Sequence, residues 1–98
     1  MIVYEVTCYV PPEMAKEFED YMLRTHINDV IATGSFESAT LERSSEGTFR
    51  TRYVARDQEA LDGYLQHHAE KLREHFSDHM SAGIEVVRHE WTVVKHFA

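Results

Sequence analysis

Phe36 to Arg43 (FESATLER) and Thr48 to Arg56 (TFRTRYVAR) are two short stretches separated by Ser44-Ser45-Glu46-Gly47. Aromatic and β-branched residues alternating with polar ones favour extended chain, and a cluster of turn formers ending in glycine favours a reversal. The two stretches are therefore predicted to pair as a hairpin. A period of two sorts their side chains. Ala39, Leu41, Phe49, Thr51, Tyr53 and Ala55 share one face, and Thr40, Glu42, Arg50 and Arg52 share the other.

Working outward, each flank of this hairpin supplies one helix and one strand. Upstream, Met14, Phe18, Tyr21, Met22, His26, Ile27, Val30 and Ile31 recur at helical spacing from Glu13, and Gly34 follows as a C-terminal stop. Pro11-Pro12 separates that helix from Ile2 to Val10 (IVYEVTCYV). This strand alternates cleanly, with Ile2, Tyr4, Val6, Cys8 and Val10 on the side expected to meet the helices. Downstream, Asp57 is placed as an N-cap for a second amphipathic helix through Ala60, Leu61, Tyr64, Leu65, His68, Leu72, His75 and Phe76, ending at Gly83. Gly63 inside it costs about 1 kcal/mol against alanine. Ile84 to Val94 (IEVVRHEWTVV), rich in β-branched residues, makes the last strand. The order β-α-β-β-α-β is the split βαβ arrangement. The predicted fold is α+β and ferredoxin-like, a four-stranded antiparallel sheet with two helices on one face, in a single domain over residues 1–98. The opposite face is expected to carry Glu5, Thr7, Tyr9, Thr40, Glu42, Arg50, Arg52, Arg88 and Glu90, with Val3 and Val54 among them.

Composition bounds the function. The net charge of −7 argues against nucleic acid and anionic membrane as partners, since both need clustered Lys and Arg. Protonation of the seven histidines would cancel that charge, so colloidal repulsion should fade below about pH 6.5. One cysteine, Cys8, permits no internal disulfide and no cysteine-rich metal site. No basic leader, lipidation signal or apolar run of membrane-spanning length is present, so the expected location is the cytoplasm.

Several segments together resemble the bacterial family called domain of unknown function 4286. They are Met1 to Thr7, His26 to Phe36 with Leu41-Glu42-Arg43, and a third set of Tyr53, Leu61, Tyr64-Leu65, His68-Ala69, Leu72-Arg73 and His75-Phe76. The resemblance spans essentially the whole chain. It implies membership of the dimeric α+β barrel group, in which two ferredoxin-like subunits pack sheet to sheet. Related groups include cofactor-independent monooxygenases, muconolactone isomerases and stress-responsive barrel proteins. The resemblance carries no catalytic residue with it.

His26 is the candidate catalytic residue, because its polar ring falls on an otherwise apolar stripe. It serves either as acid, base or donor in a pocket, or as a buried histidine satisfied by a backbone carbonyl. Tyr4, Tyr53, His68 and Trp91 are candidate ligand contacts, apolar bodies with polar handles; the alternative for them is plain core. His75 and His79 have metal-ligand spacing on a helix, but the zincin glutamate is missing and the preferred reading is a histidine-rich helix edge without a metal site. Cys8 reads as an inert small hydrophobe. No cofactor motif is present. Two functions remain open: a homodimeric barrel that binds a small molecule or performs cofactor-independent proton transfer or oxygenation, and a non-catalytic homodimeric regulator or scaffold. In both, the dimer is expected to form through the open sheet face. An open pocket of several hundred Å³ favours the first and a packed interior the second.

Overall fold

The strand Ile2–Tyr9 (β1) lies at the centre of the sheet, and in the computed structural model, which describes residues 1–80 and 82–98, every element is placed relative to it. Elements follow as α1 (Ala15–Tyr21), a π-helical turn at Met22–His26, α2 (Ile27–Ala32), β2 (Ser38–Arg43), β3 (Thr48–Ala55), α3 (Gln58–His67), α4 (Ala69–His79) and β4 (Glu85–Thr92). The sheet order is β2-β3-β1-β4 with every neighbouring pair antiparallel, the ferredoxin-like α+β arrangement predicted from the sequence.

Local chemistry closes each junction. In the hairpin turn the Ser44 hydroxyl accepts from the Glu46 and Thr48 amides at 3.3 and 3.1 Å, and Gly47 takes φ +84°. The N-terminal helical run ends where Gly34 turns left-handed at φ +80° and its amide reaches the Ile31 carbonyl at 3.0 Å. Asp57 caps α3 as expected, its carboxylate accepting from the Ala60 amide at 2.9 Å, and that bond holds its pKa below the usual carboxylate range.

Three expectations are corrected. The N-terminal helix is not uniform: the Ile27 amide bonds the Met22 carbonyl five residues back, which widens one turn. Asn28 donates into that wide turn, toward the Leu23 and Arg24 carbonyls at 3.4 and 3.5 Å. The second helix is broken at His68, whose φ of −128° departs from helical values, and α4 ends at His79, with Met80 extended. The predicted continuation to Gly83 passes through Ser81, which lies outside the described residues.

The third correction concerns β4. Arg88 stands opposite Val6 and Glu90 opposite Tyr4, so both lie on the helix side and not on the open face. Val87, His89 and Trp91 stand opposite Thr7, Glu5 and Val3, on the open side. The Val86-Val87 doublet breaks the alternation, and a slip of one residue turns every side chain over.

The helix side of the sheet carries two apolar clusters. One gathers Ile2, Tyr4, Val30, Phe36, Tyr53, Ala55, Leu61, Tyr64 and Ala69; the other gathers Cys8, Val10, Phe18, Tyr21, Met22, Phe49 and Met80. Val6 and Ile27 touch both and are only partly buried. The junction between the clusters, above Val6, is where packing is incomplete.

Two glycines test the helix readings with opposite signs. An added Cβ meets nothing within 4 Å at Gly34 or at Gly63, so only the backbone decides. Gly34→Ala should lower stability by about 1–2 kcal/mol through its left-handed φ, and Gly63→Ala, inside α3, should raise it by about 1 kcal/mol. Urea denaturation of both variants checks the pair.

Candidate active site

The cavity above Val6 measures about 480 Å³. Its floor is Tyr4, Val6 and Cys8 of β1, Tyr53 of β3, and Val86 and Arg88 of β4. Met22 and His26 border it from the π turn, Tyr64 from α3, and Leu72, Arg73, Phe76 and Ser77 from α4, while Met80, Ala82 and Ile84 complete the wall. Three of the five predicted site residues, His26, Tyr4 and Tyr53, are thus brought together.

The other two are not. Trp91 lies on the open sheet face, 53% exposed, for the register reason given above. His68 sits at the joint between α3 and α4, stacked behind Tyr64 with ring centroids 6.3 Å apart, and does not reach the cavity. The reading of the sequence also missed Arg73, whose place on an amphipathic helix gave no signal of a cavity. It missed Tyr64 as a lining residue, having read it simply as part of the apolar stripe.

His26 is presented from the π turn, where it and Met22, four residues apart on one helix face, both line the cavity. The His26 ring lies 5.5 Å from Phe76 in an edge-on arrangement and 5.9 Å from Tyr21. Among the described residues its Nδ1 is buried with no hydrogen-bond partner, so the expected backbone carbonyl does not satisfy it. Burial pushes its pKa down to about 4; His75 and Arg88 add to the depression and Asp29 opposes it. The imidazole is neutral at pH 7.

Two of the cavity phenols, Tyr53 and Tyr64, are held protonated. Burial, reinforced by the Tyr4 phenol, lifts Tyr64 to about 12, against the pull of Arg73 and Arg88. Tyr53 is raised as well, chiefly by burial. Arg73 Nη2 donates to the Tyr4 hydroxyl at 2.9 Å. Cys8 is pushed up to about 11 by burial, with Arg88 pulling it down, so its thiol is inert at neutral pH. At the outer end of α4, the Tyr21 hydroxyl and His75 Nδ1 share a hydrogen bond of 3.0 Å, and His79 Nδ1 donates to the His75 carbonyl at 3.1 Å. His75 and His79 lie side by side, their ring centroids 4.4 Å apart, but no group of three metal-ligating side chains forms among the described residues.

Fold and cavity together define a ferredoxin-like α+β protein with a tyrosine-lined pocket between helices and sheet. The chain belongs to the family described as Domain of unknown function (DUF4286), whose model matches residues 1–94. No curated protein matches it. Among solved structures it is similar to the heme degrader MhuD from Mycobacterium tuberculosis, described with two hemes bound in its active site (TM-score 0.75, 17% identity, all of both chains covered). It is similar to a dimeric ferredoxin-like protein from an uncultured marine organism (TM-score 0.70, 7% identity, 100% of this chain and 99% of that one). It is similar also to a monooxygenase from Streptomyces coelicolor in complex with nanaomycin D (TM-score 0.69, 17% identity, 99% of this chain and 92% of that one). At these identities the likeness is one of fold.

His26 sets a pH signature. Its folded pKa of about 4 lies below the ordinary 6.5, so the unfolded chain takes up the proton first. Stability from this group is complete above pH 6.5 and is lost as the pH falls toward 4, by on the order of 2–3 kcal/mol. Comparing unfolding free energies across that window in wild type and His26→Gln isolates the effect. The variant should show a flatter dependence, and an identical slope in both would remove His26 as its source.

Proposed function

We propose that this chain binds a flat, largely apolar small molecule in the cavity and that His26 accepts a proton from it in cofactor-independent chemistry. The observation that carries this is the buried, unpartnered Nδ1 of His26 in a cavity of about 480 Å³. An unsatisfied buried nitrogen costs about 1–3 kcal/mol, a cost that a hydrogen-bonding ligand would remove. The neutral ring has a lone pair free at pH 7, and the anion left beside it by deprotonation would offset the burial that otherwise disfavours the imidazolium. The Tyr4, Tyr53 and Tyr64 phenols lining the same cavity can orient a carbonyl or quinone oxygen by donation. A substrate that loses its proton to His26 becomes an electron-rich anion. If that anion gives up electrons directly to dioxygen, oxygenation follows without a bound cofactor. That two structures of similar fold are described with bound heme and with nanaomycin D supports a small-molecule reading.

The working unit in this proposal is a homodimer of the ferredoxin-like domain spanning residues 1–98, located in the cytoplasm. Trp91 and Tyr9 are 53% and 48% exposed on the open sheet face, beside Val54 and Val87. A second copy would cover this apolar area. Arg50 is already engaged within the chain, with Glu42 at 2.9 Å and Glu5 at 4.0 Å. Among the described residues Arg52 of the same face is paired with no carboxylate, and it is placed to meet one across the junction.

Two measurements test the proposal. His26→Gln should abolish binding or turnover in a screen of small aromatic acids and quinones while moving stability near pH 7 by less than about 1 kcal/mol, since no protein hydrogen bond is lost. A large drop in melting temperature with ligand binding intact would favour the scaffold reading. Sedimentation at micromolar concentration should give a dimer that Trp91→Asp splits and that Arg52→Glu weakens more at low salt than at high salt.

A further inference from the structure

Resting on the small-molecule reading above, we propose that the ligand is an anion, an aromatic carboxylate whose acid group is received by Arg73 and Arg88 while its ring lies among the cavity tyrosines. Both arginines line the cavity, one from α4 and one from β4. Among the described residues neither has a carboxylate within 4.0 Å, whereas Arg43, Arg50 and Arg56 are each paired with one. Both arginines are exposed at the edge of the cavity, so water solvates their free N–H groups and a ligand carboxylate can replace that water with charge-assisted hydrogen bonds.

The two arginines border the same cavity from opposite layers, Arg73 from the helices and Arg88 from the sheet. Arg73 holds the Tyr4 hydroxyl at 2.9 Å. Tyr4 faces Glu90 across the β1–β4 pair, and Arg88, two residues before Glu90, is its diagonal neighbour. Glu90 is turned to Gln58, whose amide donates to it at 3.3 Å, and neutralises neither arginine. The hydrogen bond to Tyr4 orients Arg73, which leaves its remaining N–H groups available for the planar, two-pronged recognition that carboxylates favour. The rest of the wall, Val6, Leu72, Phe76 and Val86, is apolar and suits the ring.

The test uses the full-length protein and paired probes of equal shape: benzoate, 2-naphthoate and 9-anthroate against the corresponding neutral amides, titrated by calorimetry. At least one acid should bind about tenfold or more tightly than its amide, the increment expected of charge-assisted hydrogen bonds. Arg73→Gln and Arg88→Gln should each erase most of that preference, bringing the acid and amide affinities close together. Arg88→Lys should keep part of it, since charge remains and the fork is lost. Both arginines are exposed enough for these variants to fold, which circular dichroism checks directly. Equal affinity for acid and amide would overturn the anion assignment and leave the cavity reading standing. A preference that survives the double Arg73→Gln, Arg88→Gln variant would show that other groups receive the acid, and would overturn it too. If no acid and no amide binds to folded protein, the cavity reading fails and takes this inference with it.

Discussion

Pairing along β1 is the constraint on which the remaining geometry depends. Ile2–Tyr9 is matched residue for residue with β3 on one side and with β4 on the other. Because opposite residues in an antiparallel pair share a face, this double register decides at once what faces the helices and what faces outward. It sets Tyr4, Val6 and Cys8 beneath the helices, brings Arg88 beside Val6, and sends Trp91 out next to Val3. Val3, flanked by Val54 and Trp91 on that outward face, is only 4% exposed. Val6 lies where the two clusters meet, touches both and is only partly buried, and the cavity opens above it.

Electrostatics inside the cavity follow from where each polar group is anchored. His26 comes from the middle of a helical run, so its ring is carried inside and burial strips it of charge. Arg88 comes from an edge strand with no helix packed over its outer rim. Its guanidinium keeps access to water on one side while contributing a positive field to His26, Cys8 and Tyr64. Full burial of such a cation without a partner would be prohibitive, and a half-hydrated rim position is not. The result is a neutral base and protonated phenols beneath a cationic rim, a division of labour that depends on depth.

Much of this was legible in the residues. The hairpin, the Asp57 cap, the Gly34 stop and the alternation of β1 each rest on strong local preferences that agree with the final packing, and His26 stood out as a polar ring on an apolar stripe. What stayed hidden depends on tertiary geometry. The phase of β4 could not be read, because Val86-Val87 suits either side of a sheet and only pairing to β1 resolves it. Nothing in Met22–His26, which has neither proline nor glycine, announces a π turn. The orphan state of Nδ1 is likewise a property of the surroundings and not of the residue. Arg73 reads as an ordinary exposed helix position until Tyr4 is placed beneath it.

The break at His68 separates two tasks that one straight helix would have to share. α3 lays Leu61 and Tyr64 onto the cluster containing Tyr4 and Tyr53, while α4 carries Leu72, Arg73, Phe76 and Ser77 over the cavity. Ala69, 1% exposed, opens α4 and sits within that first cluster. So small a side chain lets the new helix start hard against the core, with the Leu72 amide still reaching the His68 carbonyl at 3.2 Å. From that origin α4 extends over the cavity, with Leu72 packed against the first cluster and Phe76 against the second. The placement of Arg73 against Tyr4 thus depends on a joint where a side chain as small as Ala69 meets the core.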